Sequence, residues 1–116
     1  MVFTLPSELH QICLLHSKEV YGGLFAACWS TVKIFAENHL EATPGMIAVL
    51  HTWGSNLSLH PHLHCIVPAG GIDKQGHWIA QQKKRRHLFP VKRMSVVFRA
   101  KMVAELRKKS LPIDQN

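Results

Sequence analysis

The sequence predicts an α+β domain in which an antiparallel sheet carries helices packed on one face. Two long segments repeat apolar residues at intervals of three and four, and two segments rich in Ile, Val and Leu flank a turn signal. The length, 116 residues, suffices for one domain with one modest core. A composition that is 47% hydrophobic and 18% charged reads as a globular chain and excludes disorder.

Each element follows in order. "VFTL", Val2 to Leu5, is β-branched and aromatic and ends at Pro6, which predicts a short strand. From Ser7, a suitable N-cap, Leu9, Ile12, Cys13, Leu15, Val20, Leu24, Phe25, Cys28, Trp29, Val32 and Phe35 mark the apolar stripe of a long helix. Gly22-Gly23 lowers its helix propensity by roughly 2 kcal/mol, so a kink or break is expected there. "EATPG" predicts a turn, and "MIAVLHTW" (Met46 to Trp53) a central strand. "GSN" turns the chain into "LSLHPHLHCIV", a strand stopped by Pro68, and "AGGIDKQGHWIA" predicts a short hairpin around "DKQG". "FPVKRMSVVFRAKMVAELRKKS" is the second helix, with Val91, Met94, Val97, Phe98, Met102, Val103 and Leu106 on one face. The domain is expected to span residues 1–110, with a frayed tail at 111–116.

Lys and Arg number 14 against 7 acidic residues, for a formal charge of +7 and a pI near 9.7, which favours an anionic partner such as nucleic acid. Cys13, Cys28 and Cys65 are widely spaced and form no CxxC pair, so neither a zinc ribbon nor a disulfide framework is expected. No signal-peptide pattern opens the chain, and no segment nears the roughly 18–20 apolar residues that cross a bilayer. The expectation is a cytoplasmic protein with reduced thiols and no membrane contact.

"LHPHLHC", Leu59 to Cys65, carries the chemistry. Side chains two apart share a strand face, so His60, His62 and His64 form a row while Leu63, Cys65 and Val67 face the core. Pro61 lacks an N–H, so it belongs at an edge or at the strand's start, with regular pairing beginning near His62. That favours His62 and His64 as a couple. Neutral imidazoles in this array suit a divalent ion that polarises a phosphodiester, or alternatively a histidine nucleophile that attacks phosphate without metal.

The wider string "VLHTWGSNLSLHPHLHCIVPAGGI", with "VFTLPSELH" before it and "LFPVKRMSVVFRAKMVAEL" after it, resembles rolling-circle insertion-sequence transposases of the two-tyrosine type, in the HUH endonuclease superfamily. The likeness spans almost the whole chain. It implies an HUH/ferredoxin-like or RRM-like core. It also implies Mg²⁺ or Mn²⁺ held by His62, His64 and a third ligand, while a tyrosine attacks single-stranded DNA at a transposon end to leave a 5′-phosphotyrosine. His60, His51 or a Gln or Glu elsewhere are the candidates for that third ligand.

Two departures matter. The family's cysteine-rich zinc segment and its nucleophilic tyrosines have no counterpart here, and Tyr21, the one tyrosine, lies on the first helix. The chain is therefore expected to be the central part of an incomplete catalytic domain, binding metal without cleaving DNA and able to self-associate through surfaces left open. The alternatives are a catalytically inert DNA-binding remnant and a histidine-triad nucleotide hydrolase. An HxH amidohydrolase is excluded because its barrel needs about 200–250 residues.

Lys83, Lys84, Arg85 and Arg86 form a basic run, and Lys92 and Arg93 open the last helix. They are candidate phosphate contacts, against the alternative of a solvated charged surface. Trp53 and Trp78 are open to two readings, stacking on unpaired bases or ordinary packing.

Overall fold

A computed structural model of the chain describes residues 1–53, 59–80 and 91–109. Its element order is β1 (Val2–Thr4), a 3₁₀ turn (Ser7–Leu9), α1 (His10–Leu15), α2 (Ser17–Leu40), β2 (Ile47–Trp53), β3 (Leu59–Ile66), β4 (Gly70–Ile72), β5 (Trp78–Ala80) and α3 (Val91–Lys108). One antiparallel sheet has the order β1-β3-β2, and β4-β5 form a separate two-stranded hairpin. The α+β class with helices on one sheet face holds.

Alternation along the strands separates two environments. Phe3, Leu63 and Cys65 turn inward and join Val20, Leu24, Ala27, Cys28, Val32, Met94, Phe98, Met102 and Leu106 from the helices in one core. Phe3 and Phe98 meet with ring centroids 5.0 Å apart. Leu63 is fully buried on the central strand, and burial of a side chain that size contributes about 1.5–3 kcal/mol. Below the same strand, the Cys28 and Cys65 sulfurs lie 3.3 Å apart as free thiols. The hydrogen bond to Cys65, followed by burial, raises the pKa of Cys28.

Four sequence expectations are corrected. The break in the first helical segment falls at His16 (φ −135°, ψ 51°), and α2 runs unbroken through Gly22-Gly23. The helix packs against α3 there: a Cβ on Gly23 would lie 3.4 Å from the Glu105 Cβ. Segment 46–53 is not a central strand: β3 lies between β1 and β2, which leaves β2 at an edge of the described sheet. Pro61 lies within β3 rather than at its start, buried, with its carbonyl accepting from the Leu5 N–H at 2.9 Å. Finally, Leu15, Phe25 and Val91 lie exposed rather than on the buried stripes.

The hairpin forms as the turn residues predict. The Asp73 carboxylate accepts from the backbone N–H groups of Gln75 and His77, and Gly76 takes φ 83°, which favours glycine. The basic run 83–86 and the tail expected at 111–116 lie outside the described residues.

Candidate metal centre

Strand register builds the site. His51 pairs with His62 and Val49 with His64 across β2 and β3, while Thr4 and Val2 of β1 oppose the same two histidines from the other side. Cross-strand partners share a face, so His51, His62 and His64 stand together on the side of the sheet away from the helices. Their ring centroids lie 4.4 Å (His51–His64), 4.9 Å (His62–His64) and 5.3 Å (His51–His62) apart. One ring nitrogen from each falls within 4.8 Å of the others.

Hydrogen bonding sets the protons. The His62 Nδ1–H donates to the His60 carbonyl at 2.7 Å, leaving the Nε2 lone pair of neutral His62 directed at His64. The His64 Nε2 lies 3.1 Å away and donates its hydrogen to that lone pair. A carbonyl behind a histidine is the usual outer partner that fixes tautomer and ring direction at a metal. The pKa of His64 is lowered, first by desolvation and then by the neighbouring His51 and His62 and the terminal ammonium group. Lowering favours the neutral imidazole, the form that ligates.

Of the residues singled out in the sequence, the structure brings His62, His64 and His51 together and leaves His60 outside the triplet. Between His51 and Trp53 the register slips, so that the three-residue step from Leu59 to His62 faces the two-residue step from Trp53 to His51. His60 stays exposed beside His62, with the buried Pro61 between them, but it does not join the triplet. Its ring lies 5.2 Å from that of His62 and 6.4 Å from that of His10. Lys92 and Arg93 are exposed in the first turn of α3. Tyr21 is half-buried against the core on the helical side of the sheet. Burial, followed by its hydrogen bond with Cys13, pushes its pKa up to about 12.

Sequence reasoning did not assemble the surroundings of the triplet. Ile47 and Val49 of β2 and Ile66 of β3 are exposed on the histidine face, and Trp53 is exposed at the end of β2. The alternation of "IAVLHTW" carries that signal, since every second residue of a one-sided strand turns outward.

The structure is thus an α+β domain with a histidine triplet on an open sheet face. Two solved structures of the conjugative relaxase TrwC share the fold. One, in complex with mutant oriT DNA, superimposes with a TM-score of 0.70 at 15% identity, covering 99% of this chain and 46% of that one. The other, copper-bound and in complex with oriT DNA, gives 0.66 at 17% identity over 93% and 41% of the two chains.

The family model Y2_Tnp, "Putative transposase", matches residues 45–114. "Putative transposase y4qJ" of Sinorhizobium fredii (strain NBRC 101917 / NGR234) is 44% identical over 111 residues, 93% of this chain and 27% of that protein. The transposase for insertion sequence element IS801 of Pseudomonas savastanoi pv. phaseolicola is 36% identical over 78 residues, 67% of this chain and 18% of that protein. The chain thus spans about a quarter or less of the length of these relatives, and it belongs to the Y2_Tnp family of transposases.

Proposed function

We propose that this chain supplies the metal-binding histidine face of a transposase that nicks and rejoins single-stranded DNA. The observation that carries the reading is the convergence of His51, His62 and His64 on an open sheet face in a member of a transposase family. Metal–nitrogen bonds of about 2.0–2.1 Å require ligand nitrogens within roughly 4 Å of one another. The triplet is within a small side-chain adjustment of that spacing.

The donor chemistry discriminates between ions. Three imidazoles without a carboxylate suit Mn²⁺ or another transition ion better than Mg²⁺, which prefers oxygen ligands. When bound, such a cation supplies Lewis-acid stabilisation of charge on the scissile phosphate. The chain's own part is preorganisation. The His60 carbonyl holds the His62 proton at Nδ1, and His64 would ligate as its Nδ1–H tautomer, so that both Nε2 atoms are free for the cation.

Tyrosine attack leaving a 5′-phosphotyrosine and a free 3′-OH is the chemistry this reading assigns to the family. Tyr21 is not that nucleophile, since it sits in the helical layer with a pKa that disfavours the phenolate. DNA is the proposed partner, in keeping with the oriT DNA held by the TrwC neighbours. Lys83 to Arg86, Lys92 and Arg93 are the proposed phosphate contacts. Among the described residues no helix is long and apolar enough to cross a membrane. A histidine-triad hydrolase is disfavoured by the transposase family match and by the convergence of His51, from a second strand, on His62 and His64.

Calorimetric titration with Mn²⁺ tests the reading on the wild type and on a His62→Ala/His64→Ala variant. Binding that disappears in the variant supports it. Equal binding in both, or none in either, overturns the metal centre.

A further inference from the structure

We propose that Trp53 is a stacking platform for an unpaired nucleobase beside the histidine triplet, and so selects single-stranded over duplex DNA. The inference rests on the DNA-nicking reading above and adds to it a residue that contacts a base.

Trp53 lies two residues beyond His51 on β2 and is exposed like it, with the register slip falling between the two. Two residues of extended chain span at most about 7 Å, which keeps the Trp53 backbone near the strand segment that carries His51. The side chain is 57% exposed. An indole of that exposure leaves a broad apolar surface open to a stacking partner. In a duplex, both faces of each base are already covered by neighbours. An unpaired strand leaves them free, and sequence-tolerant binders of single strands use aromatic side chains in this way.

Trp78 differs. It is also exposed, but its ring passes so close to Gly70 that a Cβ there would lie 2.5 Å from it. Glycine at position 70 therefore accommodates Trp78 within the β4-β5 hairpin, and Trp78 sits on the other sheet. Trp53 has the position relative to the histidines that Trp78 lacks.

The probes are a short oligothymidylate and a strand of equal length in which abasic sites replace the thymidines, each titrated by anisotropy with Mn²⁺ present. The full chain is compared with Trp53→Ala, Trp53→Phe and His62→Ala/His64→Ala. The expected result is about a tenfold loss of oligothymidylate affinity in Trp53→Ala, recovery of most of it in Trp53→Phe, and no difference between these proteins on the abasic strand. Wild-type preference for the base-bearing strand supports the same conclusion without any variant.

Equal affinity of wild type and Trp53→Ala for oligothymidylate, with the histidine variant still impaired, overturns the platform and leaves the DNA-nicking reading standing. Absence of binding to either strand by the wild type overturns both.

Discussion

The Nε2 atoms of His62 and His64 lie 3.1 Å apart on the open face of the sheet, sharing one hydrogen. A metal ion held by both Nε2 atoms would require His64 to carry its proton on Nδ1 instead, while the His62 Nδ1–H stays anchored on the His60 carbonyl. Because the anchor is backbone, it survives truncation of the His60 side chain. His60→Ala is therefore expected to leave Mn²⁺ affinity within about twofold of wild type, whereas His51→Ala, His62→Ala and His64→Ala each lower it by about tenfold or more. Calorimetry on the four single variants decides between His51 and His60 as the third ligand. Loss of binding in His60→Ala with retention in His51→Ala would refute the assignment.

Tyr21 offers a clean optical test, being the one tyrosine in the sequence. Its phenol is held up to about 12, first by burial and then by the Cys13 hydrogen bond. Ultraviolet titration of the folded chain should show phenolate absorbance rising near that pH, against about 10 for a free tyrosine. The sign for stability follows. Between these two values the folded state keeps a proton that the unfolded state has lost, so this contribution is fully present below about pH 10 and falls as pH rises toward 12. Tyr21→Phe should flatten this contribution to the alkaline decline and leave metal affinity unchanged. A titration midpoint near that of free tyrosine would show that the phenol is neither desolvated nor hydrogen-bonded as described.

Much of the site was legible because a strand has a period of two. "HPHLH" puts His62 and His64 on one side and Leu63 and Cys65 on the other whatever the rest of the fold does. The third histidine was legible only as a choice between His51, His60 and a Gln or Glu elsewhere, since it depends on which residue of β2 lies opposite His62. That register is a property of two strands rather than one. Pro61 hinted at the irregularity, but its effect was a slip within the strand rather than a late start. The helix break was misplaced for a similar reason. Propensity marks Gly22-Gly23 as weak, yet the helix runs on there, packed against α3 at Gly23, and no local signal reports that packing.

The Gly23 contact is itself testable. Gly23→Val would place branched carbons against the Glu105 Cβ, which a Cβ alone already approaches to 3.4 Å, and against Leu106 and Met102. Overpacking of this kind costs about 1–3 kcal/mol, and exceeds the gain in helix propensity from removing a glycine. Chemical denaturation should show a lower midpoint for Gly23→Val than for the wild type. An exposed site in the same helix should respond the opposite way to removal of a poor helix former, and Asn38→Ala is the control. A Gly23→Val variant as stable as Asn38→Ala would mean that α2 and α3 do not meet closely at this point.

Lys92 and Arg93 separate function from stability by sign. They occupy the first turn of α3, which holds no acidic residue, where the helix dipole disfavours cations. If their role is only to support the fold, they are poorly placed. Lys92→Glu/Arg93→Glu should therefore raise stability, by about 0.3–1 kcal/mol per site at low salt, while weakening binding of single-stranded DNA. Lys83, Lys84, Arg85 and Arg86 outnumber them, and replacing all four with Gln should reduce the salt slope of binding by about 0.7 for each phosphate no longer neutralised. Thermal melts and anisotropy titrations over a range of salt concentrations give both quantities. A Glu variant that gains stability and loses DNA affinity identifies Lys92 and Arg93 as phosphate-binding cations retained against the preference of the helix. A gain in stability with unchanged affinity and salt slope would show two solvated cations at an ill-suited helix end, and would confine the DNA path to other surfaces.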